Sequence, residues 1–375
     1  MTVVVSSIGR GLFKSVIRRL SVLRGQQGGI SSAWTSAGER RRIDLRKDLR
    51  RRTRGVSAVT RTSGTRTATA MTSSQQQQQK KKKKKDKVFP QAAMFKYGKE
   101  DYPKDALPCV DIGANLMDKA FENDVDEVME RASAAGLKAV VVTGTSVKAS
   151  KAAIAFAEEK AKQQDKLGMF ATVGVHPHDA KTCNDETRDV LRALASHPKC
   201  VAIGECGLDF DRNFSPQDVQ REVFEMQIKL AKELGKPLFM HCRDAADDLC
   251  EIVKRNQPLG VEGVVHCFTG SMEEMRRFVD LGFHIGITGW ICDDREGRSE
   301  ELSAVVASVP EGKLMIETDA PYLTPRSIRP NKVRPWRNEP CLLPHVMSKV
   351  SEARGETMET LSEHALKTTQ KFFGI

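Results

Sequence analysis

The chain has 375 residues, with 60 Lys and Arg against 49 Asp and Glu, for a net charge of +11. The excess is local: residues 1–87 carry +19, which leaves −8 on residues 88–375, so net charge gives no argument that the whole protein binds nucleic acid. No apolar run of about 18 residues is present, which excludes a spanning helix; nine cysteines without a C-x-x-C pair argue against a disulfide framework or zinc ribbon and for a reducing compartment.

Residues 1–38 contain no acid, and Leu12, Phe13, Val16, Ile17, Leu20 and Leu23 share one helical face while Lys14, Arg18 and Arg19 lie off it. This acid-free amphipathic pattern predicts an organelle transit peptide, mitochondrial or plastid; charges interrupt every apolar stretch, which excludes a secretory signal. Residues 40–74 are rich in Arg, Thr and Ser without an apolar period and are expected to be disordered. Gln75 to Gln79 and Lys80 to Lys85 form two homopolymer runs, and the lysines read as a nuclear address, a phosphate-binding arm or a solvated linker. Residues 1–90 are thus expected to form a transit peptide and a disordered, basic, low-complexity tail.

From residue 108 onward the pattern changes. Short β-branched runs at 109–115, 138–144, 170–176, 200–205, 237–242, 263–268, 283–289 and 313–319 start 20 to 37 residues apart. Helix-like stretches at 125–135, 146–162, 216–234 and 272–281 alternate with them. Strands alternating with helices predict a parallel sheet. Eight units over residues 108–375 predict an α/β fold, a closed (β/α)8 TIM-type barrel, with an open doubly wound sheet as the alternative. No G-x-G-x-x-G or phosphate-binding loop follows the first run, which argues against nucleotide-cofactor versions.

Active sites of such barrels form at the C-terminal ends of the strands. The fourth run ends in Glu205, the fifth reaches His241, the sixth His266 and the eighth Asp319. Taken singly, a histidine there is more often a hydrogen-bonded structural group and a carboxylate a helix cap. Together at one rim they predict a divalent-metal site with one or two ions, Glu205 bridging if there are two. Asp319 is expected to orient or deprotonate the attacking water. Cys206, Cys242 and Cys267 each follow one of these residues, so strand alternation is expected to bury them against the helices. His176 points to the same mouth, in the substrate or metal shell, and His178 either joins it or stabilises the loop. Arg243 suits a phosphate oxygen, its alternative being an ion pair with Asp244 or Asp247. Asp209 and Arg212 are assigned to the loop after Glu205. Residues 322–338 carry Arg326, Arg329, Lys332, Arg334 and Arg337 and no acid, an expected anion-binding loop. Trp290, Tyr322 and Trp336 stack bases or pack loops. His197, His284, His345 and His364 read as structural, and Asn338 and Glu339 as the N-terminal cap of a helix over 342–353.

The motifs that carry these residues are Val110-Asp111-Ile112-Gly113-Ala114-Asn115, Gly174-Val175-His176-Pro177-His178, Gly204-Glu205-Cys206-Gly207-Leu208-Asp209, Met240-His241-Cys242-Arg243-Asp244-Ala245, His266-Cys267-Phe268-Thr269-Gly270, Gly286-Ile287-Thr288-Gly289-Trp290, Glu317-Thr318-Asp319-Ala320-Pro321-Tyr322 and Arg337-Asn338-Glu339-Pro340. In order and spacing, from about residue 108 to the C-terminus, they resemble the TatD family of metal-dependent deoxyribonucleases. The resemblance implies a barrel of the metal-dependent hydrolase superfamily that hydrolyses phosphodiester bonds with Mg²⁺ or Mn²⁺, Zn²⁺ being the alternative. It implies 3′→5′ exonuclease action on DNA, single-stranded or at 3′ ends, and on RNA. Glu205, His241, His266 and Asp319 are then the metal residues, and Asp319, Glu205 and His176 the catalytic ones. Substrate contacts fall to His176, His178, Arg243, Asp209, Arg326, Arg337 and Trp290. Many relatives in the superfamily carry His-x-His on the first strand; here those positions are Gly113 and Asn115, which predicts weakly held, exchangeable metal. The rival readings are a deacylase or amidohydrolase of the same superfamily, for example one acting on aminoacyl-tRNA, and a non-catalytic nucleic-acid-binding module. The expected location is mitochondrion or plastid, with cytoplasm or nucleus as the alternative, and no membrane partner is expected.

Overall fold

The structure, a computed structural model, describes residues 89–375 apart from 163–166, 296 and 298. The expected transit segment, disordered stretch and homopolymer runs lie outside the described residues. All eight expected strands form: β1 (Cys109–Ala114), β2 (Leu137–Val142), β3 (Gly168–Val173), β4 (Cys200–Asp209), β5 (Leu238–Arg243), β6 (Gly263–Val265), β7 (His284–Ile287) and β8 (Leu314–Ile316). They pair in parallel in chain order, β1 through β8. That order excludes the doubly wound alternative. The ring closes at its C-terminal rim: the Asp319 amide donates to the Gly113 carbonyl at 2.8 Å and the Asn115 amide to the Ala320 carbonyl at 2.7 Å.

Strand alternation divides the apolar residues into two sets. Val110, Ile112, Ala139, Val141, Ala202, Phe239, Val264 and Met315 form one buried cluster, the barrel interior, with Phe372 and Phe373. Their neighbours Val140, Val142, Ile203, Met240, Val265 and Ile285 belong to the larger cluster shared with the helices. The helices are α1 (Val125–Ala134), α2 (Val147–Lys162), α3 (Thr187–Ala195), α4 (Gln217–Leu234), α5 (Ala246–Arg255), α6 (Met272–Asp280), α7 (Glu300–Ser308), α8 (Leu343–Arg354) and α9 (Met358–Phe373). Phe372 of α9 meets His284, the first residue of β7, at 4.9 Å between rings. This plugs the N-terminal end of the barrel and leaves the opposite end as the open mouth.

Helix α4 does more than cover the sheet. Its buried Gln227 donates to the Val175 carbonyl at 3.0 Å and accepts from the Val175 amide at 2.8 Å. Its buried Gln220 accepts from the Asp209 amide at 2.9 Å and donates to the carbonyls of Asp209 and Ser215. Two amides, about two turns apart on one helical face, thus satisfy backbone groups that leave the regular ladder just before His176 and at Asp209.

The fourth strand departs from expectation. It runs on through Asp209 instead of ending at Glu205, and its register against β5 slips between Gly204 and Cys206. Glu205 is the extra residue of a β-bulge, a device that re-aims one side chain without ending the strand. Glycine is required on both sides. Gly204 and Gly207 have φ of +147° and +126°, and a Cβ on either would collide with the carbonyl oxygen of Phe239 or His241 on β5. Because the obstacles are backbone atoms of a central strand, no rotamer change relieves them. Gly207→Ala is therefore expected to destabilise the protein by at least about 2 kcal/mol, combining left-hand-side backbone strain with overpacking. Urea denaturation at equal slope measures this, and a loss below about 0.5 kcal/mol would contradict it.

Candidate active site

The mouth encloses a cavity of about 830 Å³ lined, among others, by Asn115, His176, His178, Glu205, His241, His266 and Asp319. At its floor three imidazoles meet one carboxylate oxygen. Glu205 Oε1 lies 3.2 Å from His176 Nε2, 3.1 Å from His241 Nδ1 and 2.7 Å from His266 Nε2. The remaining ring nitrogens are engaged as well. His176 Nδ1 accepts the His178 amide at 3.0 Å, which leaves its proton on the nitrogen facing Glu205. His241 Nε2 faces Asp209 Oδ2 at 3.3 Å, and His178 Nε2 meets the same oxygen at 2.8 Å. His266 Nδ1 lies 3.4 Å from Glu317 Oε2, yet neither atom has an aligned hydrogen-bond partner.

Each of His241 and His266 therefore stands between two carboxylates. A neutral imidazole has one proton and cannot donate to both sides. Burial disfavours the charged form, but the bonds to Asp209 and Glu205 still raise the pKa of His241, and Glu205 and Glu317 lift His266 well above the usual range. Glu205 shows the reverse balance: burial pushes it up, while His266 and His176 hold it well below the usual carboxylate range. His176, desolvated and beside two other imidazoles, is lowered despite its bond to Glu205. Asp319 sits across the mouth, its Oδ1 accepting from the Asn115 amide at 3.0 Å. Desolvation, with the charges of Glu205 and Glu317, raises it to about 7.

This donor set fits a divalent cation. Ligand atoms of His176, Glu205 and His241 lie within 4.8 Å of one another, and His266 reaches the same Glu205 oxygen. Glu205, Asp209, Glu317 and Asp319 place four carboxylates around imidazoles that balance them only when protonated. Imidazole nitrogen and carboxylate oxygen are the ligands such ions take. The grouping is thus His176, Glu205 and His241, with His266 on the same Glu205 oxygen and Asp319 lining the same cavity.

Other expectations need correction. Asp209 is a buried residue of β4, tied to His178 and His241, not a loop residue open to substrate. Arg337 is buried against Glu339 and Asp124, so it holds the loop to α1 and is closed to substrate. Arg326 does not line the cavity; it lies 3.3 Å from Asp293 and 3.4 Å from Asp294. Arg329 pairs with Asp294 too, so the acids that neutralise this basic loop come from the segment after β7. Arg243 does line the cavity, and its ion pair is with Asp211 at 3.0 Å instead of Asp244 or Asp247. Trp290 lies on the cavity wall as expected. Cys206 is buried, but Cys242 and Cys267 are half-buried on the wall, because alternation lapses where the ladder ends and Cys267 adopts φ +46°. Asn338 and Glu339 make no side-chain cap to the following turn; Asn338 holds the Thr318 carbonyl and Glu339 the guanidinium of Arg131.

Sequence reasoning passed over Glu317 and Asp111. Glu317 accepts the Cys267 amide and faces His266, and it fills the space a side chain at Gly113 would need. Asp111 accepts the Thr318 amide at 2.9 Å and the Thr318 hydroxyl, fastening β1 to the segment that carries Asp319. Alternation could not have found them, because the β1 register slips between Asp111 and Ala114 and Asp319 adopts φ +53°.

The chain matches the family model described as TatD related DNase over residues 110–374. It is 46% identical over 246 residues to the 3′-5′ ssDNA/RNA exonuclease TatD of Cronobacter sakazakii, covering 66% of this chain and 90% of that protein. Among solved structures, a TatD family hydrolase from Entamoeba histolytica is 28% identical with a TM-score of 0.64, covering 72% of this chain and 99% of that one. A TatD homologue of Escherichia coli K12 is 28% identical with a TM-score of 0.63, covering 71% and 98%.

Protons and a cation compete for this cluster. Asp319, raised to about 7, and the raised His241 and His266 hold protons at mildly acidic pH that a cation must displace. Affinity is therefore lost as pH falls and gained as it rises through about 7, by about tenfold per pH unit for each proton released. Titration calorimetry with Mn²⁺ at pH 6, 7 and 8, in buffers of different ionisation enthalpy, reads both affinity and proton release. Equal affinity at all three values with no proton release would refute this account.

Proposed function

The chain belongs to the family of TatD-related DNases, and on that premise we propose that its mouth cleaves terminal nucleotides from the 3′ end of single-stranded DNA and RNA with Mg²⁺ or Mn²⁺. It is a hydrolase of phosphodiester bonds that works with a divalent metal. The observation that carries the reading is the convergence of His176, His241 and His266 on one oxygen of Glu205, with Asp319 facing them at a pKa of about 7.

A cation held by this set supplies charge against the non-bridging phosphate oxygens and makes the attacking water more acidic. Asp319 accepts the proton from that water. Asp319 lines the cavity, and the Asn115 side-chain amide holds one of its oxygens, which fixes the orientation of the carboxylate. Glu205 stays ionised beneath the histidines. Asp209 anchors His241 on the side away from Glu205 and also anchors His178, while Glu317 lies behind His266. At the rim, Arg243 and Arg212 line the cavity with charge for the phosphate. The weak ligand choice at Gly113 and Asn115 favours an exchangeable hard cation, hence Mg²⁺ or Mn²⁺ over Zn²⁺.

Removal of the base tests the assignment. Asp319→Ala is expected to lower turnover of a 5′-labelled single strand by roughly 10²–10⁴-fold while leaving strand binding within about threefold. Chelator should abolish cleavage, and the products should shorten from the 3′ end. Retained activity in Asp319→Ala, or faster release of the amino acid from aminoacyl-tRNA than of nucleotides from the strand, would overturn this reading.

A further inference from the structure

Phe214 and Tyr322 are large rings left in solvent at the rim, 58% and 54% exposed, and both line the cavity. Single exposed apolar residues are ordinary on protein surfaces. What distinguishes Phe214 is how firmly its backbone is held. Its carbonyl accepts from Lys181 Nζ at 2.8 Å. The neighbouring Ser215 hydroxyl donates to the His178 carbonyl at 2.8 Å and accepts the Lys181 amide, and Gln220 of α4 holds the Ser215 carbonyl. On the other side, Asn213 folds back onto the Phe210 carbonyl. The ring itself meets the edge of His178 at 4.7 Å and 72°. A loop pinned at this many points keeps a bare aromatic face in place without spending further conformational entropy when a ligand arrives.

Tyr322 is placed by similar means. Its amide donates to the Asp319 carbonyl at 3.0 Å, and its hydroxyl lies 3.4 Å from Asp118 Oδ2. Phe214 follows β4 and Tyr322 follows β8. Four strands apart in a ring of eight, they stand on opposite sides of the one mouth, with the histidines, Glu205 and Asp319 between them. A strand whose scissile phosphate lies at that cluster has one nucleoside on each side of it.

We propose that Phe214 and Tyr322 are two base-stacking platforms, each receiving the nucleobase on one side of the scissile phosphate. This rests on the nuclease reading and adds the residues that grip the substrate. It also gives a physical reason for acting on single strands. Bases held on opposite sides of the mouth cannot remain stacked on each other or paired to a complement, so only an end that is unpaired, or that can be splayed, reaches the cluster. Aromatic stacking is blind to base identity because every base has a π-face, so the platforms carry no sequence preference.

The test uses the full chain with Mg²⁺ on 5′-labelled single strands that are intact, abasic at the last nucleotide, or abasic at the next. Phe214→Ala is expected to raise KM on the intact strand by roughly 5- to 150-fold with little change in kcat. That penalty should vanish on one of the two abasic strands, the penalty of Tyr322→Ala on the other, and Phe214→Trp should restore KM. A reading independent of those variants is 2-aminopurine at each position, whose emission should fall on binding to Asp319→Ala protein. Four results would overturn the proposal: an unchanged KM, a loss of kcat equal on all three strands (the ring then serves only to support His178), both penalties mapping to the same base, or no change in 2-aminopurine emission. If the wild-type chain cleaves none of the strands, the nuclease reading itself fails, an outcome distinct from cleavage that ignores Phe214.

Discussion

Three histidines borne by three different strand ends face one oxygen of Glu205, and the rest of the mouth is built to hold that arrangement. It is costly to assemble in a buried place. Removing a carboxylate from water disfavours its charge, and the same holds for an imidazolium, so neither is stable there unless the other is close and well oriented. The bulge at Glu205 turns the carboxylate inward, the glycines beside it let the two strands approach, and Asp209 and Glu317 face the histidines from behind. The barrel supplies the rigidity: Asp319 and Asn115 lie at the seam where the first and last strands close the ring. Closing the fold and placing the base opposite the histidines are thus one event.

Charge is sorted by depth. Inside the mouth, carboxylates outnumber the groups that balance them at neutral pH, which makes the site a place for a cation. Around it, the loop after β8 carries many arginines, but Asp293, Asp294, Asp124 and Glu339 neutralise several of them and turn them into struts. The cations that do line the cavity, Arg212 and Arg243, lie on the other side of the mouth near Asp209 and Asp211. A count of arginines along a loop therefore overstates its appetite for phosphate, because counter-ions meet them from Asp124, Asp293 and Asp294, distant in sequence, and from Glu339 beside the loop.

One side of the barrel mouth is fastened through a helix. Helix α4 uses buried glutamines to tie down the backbone before His176 and around Asp209, where β3 and β4 give way to loops. An amide side chain can satisfy both a donor and an acceptor of the same peptide region, which a hydrophobic contact cannot do. The result is a pinned set of loops on the β3–β4 side that carries His176, His178 and Phe214 together.

Short β-branched apolar runs spaced by helix-length amphipathic stretches were enough to specify eight strands and the end at which function sits, because the covering of a parallel sheet by helices is a local consequence of the chain's geometry, whereas the order β1 through β8 that excludes a doubly wound sheet came from the tertiary structure. The same logic picked out Glu205, His176, His241, His266 and Asp319. What lay beyond it were partners: Glu317 behind His266, Asp209 inside a strand instead of a loop, Arg337 locked to Asp124 and Glu339, and Phe214 standing opposite Tyr322. Sequence determined which residues reach the rim. Tertiary structure alone decided which of them meet, since hydrogen bonds join groups up to 254 residues apart through distances that no local periodicity encodes.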